Sequence, residues 1–560
     1  MRSACLVCLV AFIVGAGCTD RPAYDVVIRD GMVYDGSGGE PYRASVAISG
    51  DTIAAVGDLG GARGRIEIDA AELAVAPGFV NMLSWANESL LEDGLSQSDI
   101  RQGVTLEVMG EGWSMGPLTD AMKREMKEQQ GDIRFDIAWT TLGEYLDHLE
   151  RRGISANVAS FVGATTVRIH VLGYENRAPN AAELERMKDL VRQAMREGAL
   201  GLGSSLIYTP AFYADTDELI ALSRVAAEHG GMYISHLRSE GNALIEAVEE
   251  FLAITRSAGI RSEIYHLKAA GEANWPKLSR VIAMIDEARR SGLAVTADMY
   301  TYTAGATGLD AATPPWVQEG GLKAWIGRLK DPSLRPRILK EMRTPTTEWE
   351  NLYLAAGDAE RILLVGFKTD SLKYLTGKTL REVAAMRAKS PEETILDLVI
   401  DDESRVGTVY FLMSEDNVTR QIALPWMSFG SDEASLAPEG VFLRSSPHPR
   451  AYGNVARLLA HYVREKKVIS LGEAIRRLSS FPAKTLGLSD RGSLAPGYAA
   501  DIVVFDAAAV QDRATYEDPH EYSVGVRHVF VNGVQVLANG EHTKAKPGRV
   551  VRGPGWAPGR

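Results

Sequence analysis

Two histidines end consecutive apolar runs: His236 closes Met232-Tyr233-Ile234-Ser235-His236, and His266 closes Glu263-Ile264-Tyr265-His266. Runs of this length and content read as strands. Two imidazoles at neighbouring strand ends can share one divalent ion, and imidazole suits zinc. Taken singly, each reads more readily as a hydrogen-bonded core histidine; their matched placement reverses that reading and points to a metal. Glu111, in Val108-Met109-Gly110-Glu111-Gly112-Trp113, follows another such run and is the candidate third ligand, its plainer role being a solvated turn. Asp432, in Ser428-Phe429-Gly430-Ser431-Asp432-Glu433, would stand across from that ion, unless it serves as a helix N-cap. Thiol chemistry is excluded from the body of the chain, because Cys5, Cys8 and Cys18 are the only cysteines.

These residues need a scaffold that gathers strand ends. Strand-like runs are expected at about 75–83, 104–109, 157–164, 199–206, 231–237, 262–268, 294–302 and 425–432. Amphipathic helical patterns cover 181–197, 216–229, 240–258 and 275–291. Eight strands alternating with helices predict an α/β fold, a parallel (β/α)8 TIM barrel with its active residues at the strand C-termini. The gap before the eighth strand is oversized, and an insertion at about 306–400 would sit over the barrel mouth as a lid. Short alternating runs at 22–75 and 491–545, broken by Gly and Asp, predict a small antiparallel β domain built from both chain ends around a barrel at 76–490. The Gly- and Pro-rich 546–560 reads as a loose tail.

The 560 residues carry 61 Lys+Arg and 73 Asp+Glu, a net charge of −12, so no nucleic-acid partner is expected. With 45% apolar and 24% charged residues, the composition is that of a globular protein. Residues 1–18 have a basic start, a short apolar core and a Gly15-Ala16-Gly17-Cys18 ending. That pattern predicts an export signal of lipoprotein type, placing the protein in a bacterial periplasm or on a membrane through a lipid at Cys18.

Several segments together resemble the amidohydrolase superfamily and, within it, the N-acyl-D-amino-acid deacylases. They are Pro77-Gly78-Phe79-Val80, Ser235-His236-Leu237-Arg238, Tyr265-His266-Leu267-Lys268, Pro314-Pro315-Trp316-Val317-Gln318-Glu319-Gly320 and His448-Pro449-Arg450. Arg491-Gly492 and Ala499-Ala500-Asp501-Ile502-Val503 complete the set, and the likeness runs from about residue 24 to 545. The resemblance implies a barrel with a β-sandwich and a lid. It also implies one tightly held zinc ion on Glu111, His236 and His266, with Asp432 as proton shuttle and Lys268, Tyr300 and Arg450 on the substrate carboxylate. Departures are equally clear. Where the family carries a first-strand His-x-His pair, this chain has Leu83 and Trp85, which removes half of a two-metal site. Glu111 stands where a cysteine is common, and Ala164 replaces a third-strand histidine. The fourth strand, Ala199-Leu200-Gly201-Leu202-Gly203-Ser204-Ser205, has no lysine for a carboxylated bridge.

The expected activity is zinc-dependent cleavage of the amide bond of N-acyl-D-amino acids, with D selectivity implied by the resemblance alone. Two alternatives remain open at this point. One is another metal-dependent amidohydrolase, acting on a dipeptide, lactam or ester. The other is an exported, non-catalytic binding protein, for which Leu83 and Trp85 speak and Asp432 speaks against.

Overall fold

The computed structural model describes residues 23–557, so the expected signal segment and Cys18 lie outside the described residues. Eight strands form the barrel: Phe79–Asn81, Val104–Met109, Asn157–Ser160 continued by Val162–Gly163, Gly201–Ser205, Met232–His236, Arg261–Ile264, Val295–Met299 and Met427–Phe429. Successive strands pair in parallel. The last strand returns to the first, where Met82 N–H donates to Phe429 O at 3.2 Å and Asp432 N–H to Leu83 O at 2.8 Å. Residues such as Val104–Met109 are buried along their whole length, since helices cover one face and barrel side chains fill the other.

The outer helices arise from local signals. Ala181–Arg196 starts at a capping box of Asn180 and Glu183 and buries Met187, Val191, Ala194 and Met195 on one stripe. The helix expected from residue 240 instead begins at Leu244. Residues 239–241 are diverted into a loop, because the Glu350 carboxylate accepts from the backbone N–H of Glu240 (3.0 Å) and Gly241 (3.1 Å) and from the Ser239 hydroxyl. The helix expected from 275 begins at Leu278, behind a 3-10 turn that contains Pro276.

Both chain ends join in one hydrogen-bonded β domain, with Ile502–Phe505 antiparallel to Ala74–Pro77. The expected antiparallel sheet is corrected to a mixed one. Tyr24–Val33 pairs antiparallel with Tyr42–Ser49 but parallel with Gly64–Asp69 and Ala74–Pro77. The hairpin of Tyr42–Ser49 with Thr52–Gly57 reverses the chain a second time, and the two later strands reach Tyr24–Val33 running in its own direction.

Between the seventh and eighth barrel strands the insertion forms a three-stranded antiparallel sheet, Gly305–Gly308, Gly407–Tyr410 and Ile362–Gly366, with helices that include Leu322–Lys330 and Pro391–Asp402. The expected loose tail is also corrected. Gly548 N–H donates to Ile154 O and Val551 N–H to Val158 O, each at 2.8 Å, while Val158 N–H returns a bond to Arg549 O at 3.0 Å. A side chain on Gly548 would sit 2.1 Å from Ala156 O, so the glycine allows two backbones to lie flush. Among the described residues, no helix is long and apolar enough to cross a membrane.

Candidate functional site

The barrel mouth gathers Glu111, His236, His266, Lys268, Tyr300, Asp432 and Arg450 around one cavity of about 420 Å³. Each arrives for a local reason. Gly110 turns the chain at φ +106°, where a side chain would stand 2.4 Å from Phe161 O, and so delivers Glu111 just past the second strand. His236 is the last residue of the fifth strand. His266 lies two residues beyond the sixth, its backbone held at φ +32° while its N–H donates to Asp298 Oδ1 at 2.8 Å. Asp432 adopts φ +52° as its N–H bonds the first strand.

His236 Nδ1 and His266 Nε2 each lie 3.0 Å from Glu111 Oε1. One atom from each of the three residues falls within 4.8 Å of the others, and all three side chains are buried. Two imidazole nitrogens and a carboxylate oxygen converging at that spacing fit a divalent ion with zinc-like preferences. Burial alone would raise the Glu111 carboxyl, but the two imidazoles hold it well below the usual carboxylate range. Burial and the Lys268 ammonium press His266 towards neutrality; the Glu240, Glu111 and Asp432 carboxylates outweigh them and hold it above the usual imidazole range.

Two residues at the site escape the motif-based expectation. Glu240 stands behind both imidazoles, with Oε1 3.0 Å from His266 Nδ1 and Oε2 3.6 Å from His236 Nε2. It also accepts from Lys268 Nζ at 2.6 Å. Its one sequence signal was the fourth place after His236, obscured by the expected helix. Trp85, noted only as a lost ligand, donates its indole N–H to both Glu111 Oε2 (3.2 Å) and Asp432 Oδ1 (3.1 Å). Leu83 is buried and Trp85 holds this place, so neither of these two residues offers a lone pair for a second ion.

The expected substrate contacts divide. Lys268 lines the cavity, and its ammonium pairs with Glu240. Arg450 pairs Asp432 Oδ2 at 2.8 Å through Nη2 and lies 4.3 Å above the Tyr300 ring. Its Nε and Nη1, and the Tyr300 hydroxyl, are buried without a partner in the protein. His448 is neutral, pushed well below the usual imidazole range by burial and by Arg450. Accordingly its Nδ1 accepts from Arg450 N–H at 3.0 Å. Glu433 lines the same cavity, its carboxyl raised to about 7 by burial against the pull of Arg450.

Fold and site together define a metal-dependent amidohydrolase. The chain belongs to the amidohydrolase family, whose profile matches residues 67–537, and within it to the N-acyl-D-amino-acid deacylase branch. It is 32% identical to the D-aminoacylase of Alcaligenes xylosoxydans xylosoxydans, over 95% of this chain and 98% of that protein. The N-acyl-D-glutamate deacylase from Bordetella bronchiseptica, solved with zinc and a phosphonate mimic of the tetrahedral intermediate, is 30% identical with a TM-score of 0.77, covering 94% of this chain and 99% of its own. A D-aminoacylase studied for its binuclear metal centre, with one-metal activation and second-metal attenuation, is 31% identical with a TM-score of 0.78, covering 94% and 100%.

Proposed function

We propose that the protein is a zinc-dependent hydrolase that cleaves N-acyl-D-amino acids to a D-amino acid and a carboxylate, using one ion per chain. The convergence of Glu111, His236 and His266 opposite Asp432 carries this proposal. Those three residues would hold the ion, while Leu83 and Trp85 leave no ligands for a second. The chemistry zinc supplies when bound is activation of water near neutral pH and polarisation of a carbonyl.

The chain's own residues supply the rest. Asp432 takes the proton of the attacking water and returns it to the departing nitrogen, which must be protonated to leave. Arg450 and the Trp85 indole each bond one of its carboxylate oxygens and so fix its orientation. The substrate's α-carboxylate supplies what the protein lacks, a partner for Arg450 Nε and Nη1 and for the Tyr300 hydroxyl. Both residues are 1% exposed, so leaving those donors dry and unpaired is costly, and an anion relieves the cost. The D configuration is supported by the two D-aminoacylases and the N-acyl-D-glutamate deacylase that the chain resembles.

The test is metal content and turnover of the full-length protein beside Glu111→Ala and Asp432→Asn, with N-acyl-D- and L-amino acids as substrates. About one zinc per chain is expected, lost in Glu111→Ala and kept in Asp432→Asn, with D-selective turnover abolished in both. Full turnover by Asp432→Asn, or preference for the L-forms, would refute it.

A further inference from the structure

Beside the catalytic cavity lies a second one of about 530 Å³. Trp85, Trp113, Tyr208, Arg405 and Ala434 line both, so the two share a rim at the indole that touches Glu111 and Asp432. Its walls are mainly apolar, with Met115, Leu118, Met122, Met126, Ile169 and Trp325 among them, and Glu88, Gln129 and Gln130 as polar neighbours. The methionines and Leu118 come after the second barrel strand, and Trp325 comes from the insertion. Arg405, a cation on that wall, is matched by Asp310 at 2.8 Å, and Glu125 accepts from the Tyr174 hydroxyl at 3.0 Å. The chamber is thus mainly hydrocarbon and thioether, with the Arg405 charge met by Asp310 and the Glu88 carboxyl raised by burial.

Orientation is set by the proposed deacylation, on which this inference rests. The donors left for an α-carboxylate, on Arg450 and Tyr300, line the catalytic cavity and are absent from the walls of the second. The scissile carbonyl has to lie near Glu111 and Asp432. On a carbonyl carbon, the acyl substituent points away from the nitrogen that carries the amino acid. With the carboxylate at Arg450, the acyl substituent is therefore directed to the Trp85 side, where the chamber opens. We infer that the acyl group is a long apolar chain, of octanoyl size or more, housed in this chamber. Flexible methionine side chains suit such an occupant, because they repack around chains of differing length.

Turnover of N-acetyl-, N-butanoyl-, N-octanoyl- and N-lauroyl-D-leucine by the zinc-loaded enzyme tests this. A second series holds the acyl group at acetyl and lengthens the amino-acid side chain. Expected is a rise in kcat/KM of about fourfold per buried methylene of the acyl chain, about four-thousandfold from acetyl to octanoyl if all six added methylenes are buried. Met126→Glu, on a partly exposed helix position, should flatten that rise by placing a carboxylate against the chain. Calorimetric binding of acetate, octanoate and laurate, the acyl products, reads the chamber without turnover, and the same chain-length dependence and the same loss in Met126→Glu are expected. Preference for N-acetyl substrates, gain along the side-chain series instead, or fatty-acid binding indifferent to length would overturn the chamber assignment while leaving the hydrolase standing. Failure of every D- and L-substrate alongside length-dependent octanoate binding would overturn the reaction and keep the chamber.

Discussion

Replacing Glu240 by Gln changes the charge at one buried carboxylate and little of its shape. The loop that carries it is held through backbone N–H groups on Glu350, so the substitution leaves the loop's own bonds in place. Lys268 and Glu240 are each 5% exposed and 2.6 Å apart. Removing one partner of such a pair strands the other charge in a low-dielectric site, which costs about 3–5 kcal/mol of stability. A second effect falls on the metal site. With His266 Nε2 committed to an ion, Nδ1 is left to face Glu240 Oε1 at 3.0 Å and Lys268 Nζ at 2.7 Å, and a proton on Nδ1 has only the carboxylate to accept it. Loss of such a backing carboxylate typically weakens metal binding about 10–100-fold. Chelator competition for zinc measures the second effect, and the unfolding midpoint of the metal-free protein measures the first. The double variant Glu240→Gln/Lys268→Met separates them: without the stranded ammonium, stability should recover towards the parent while zinc affinity stays low. Parental zinc affinity in Glu240→Gln would show that the carboxylate does not orient His266. A double variant no more stable than the single one would remove the stranded charge as the cause.

Tyr300→Phe should raise KM for an N-acyl amino acid roughly tenfold to a hundredfold, the worth of a hydrogen bond to a charged group, and barely change it for the corresponding α-amide. Equal effects on acid and amide would take the hydroxyl off the carboxylate. In the β domain, His542 Nε2 bonds Leu95 O at 3.0 Å, and burial pushes its imidazole down to about 4, against the pull of that carbonyl. Because the folded value lies below the unfolded one, its contribution is complete above about pH 6.5 and lost as pH falls towards 4. The slope is at most about 1.4 kcal/mol per pH unit, and less in practice because the side chain keeps some solvent contact. His542→Gln should reduce the acid sensitivity of the unfolding midpoint, and an unchanged slope between pH 6.5 and 4 would clear this histidine.

The barrel was legible because its signals are local. Each strand is a short apolar run, and His236 and Glu111 sit at or just beyond the ends of theirs, so a one-dimensional pattern already placed them on one rim. What stayed hidden depends on partners far away in the chain. The helix expected from 240 loses its first turn to Glu350, which lies 110 residues beyond Glu240, and that loss is what turns Glu240 into the barrel. Lys268 has the spacing of a substrate contact, and its pairing with that same carboxylate depends on the diverted loop. In the tail, Gly548 has the composition of a flexible end and instead lets the backbone lie against Ala156.

Trp85 shows why a lost motif is not a lost site. By residue type it removes a metal ligand, and the sequence permits no more than that. In the fold its indole N–H ties the carboxylate of the metal cluster to the proposed proton shuttle, bonding to Glu111 and to Asp432, the latter 347 residues along the chain from Trp85. Its ring also lines both cavities, beside the opening through which an acyl chain would leave the reacting carbonyl. A histidine there could offer a lone pair to a second ion but would present a smaller, more polar wall to that chain. On the proposed reading one residue would set both the number of metal ions and the acyl specificity, and substituting it should move zinc per chain and the acyl-length dependence of kcat/KM together.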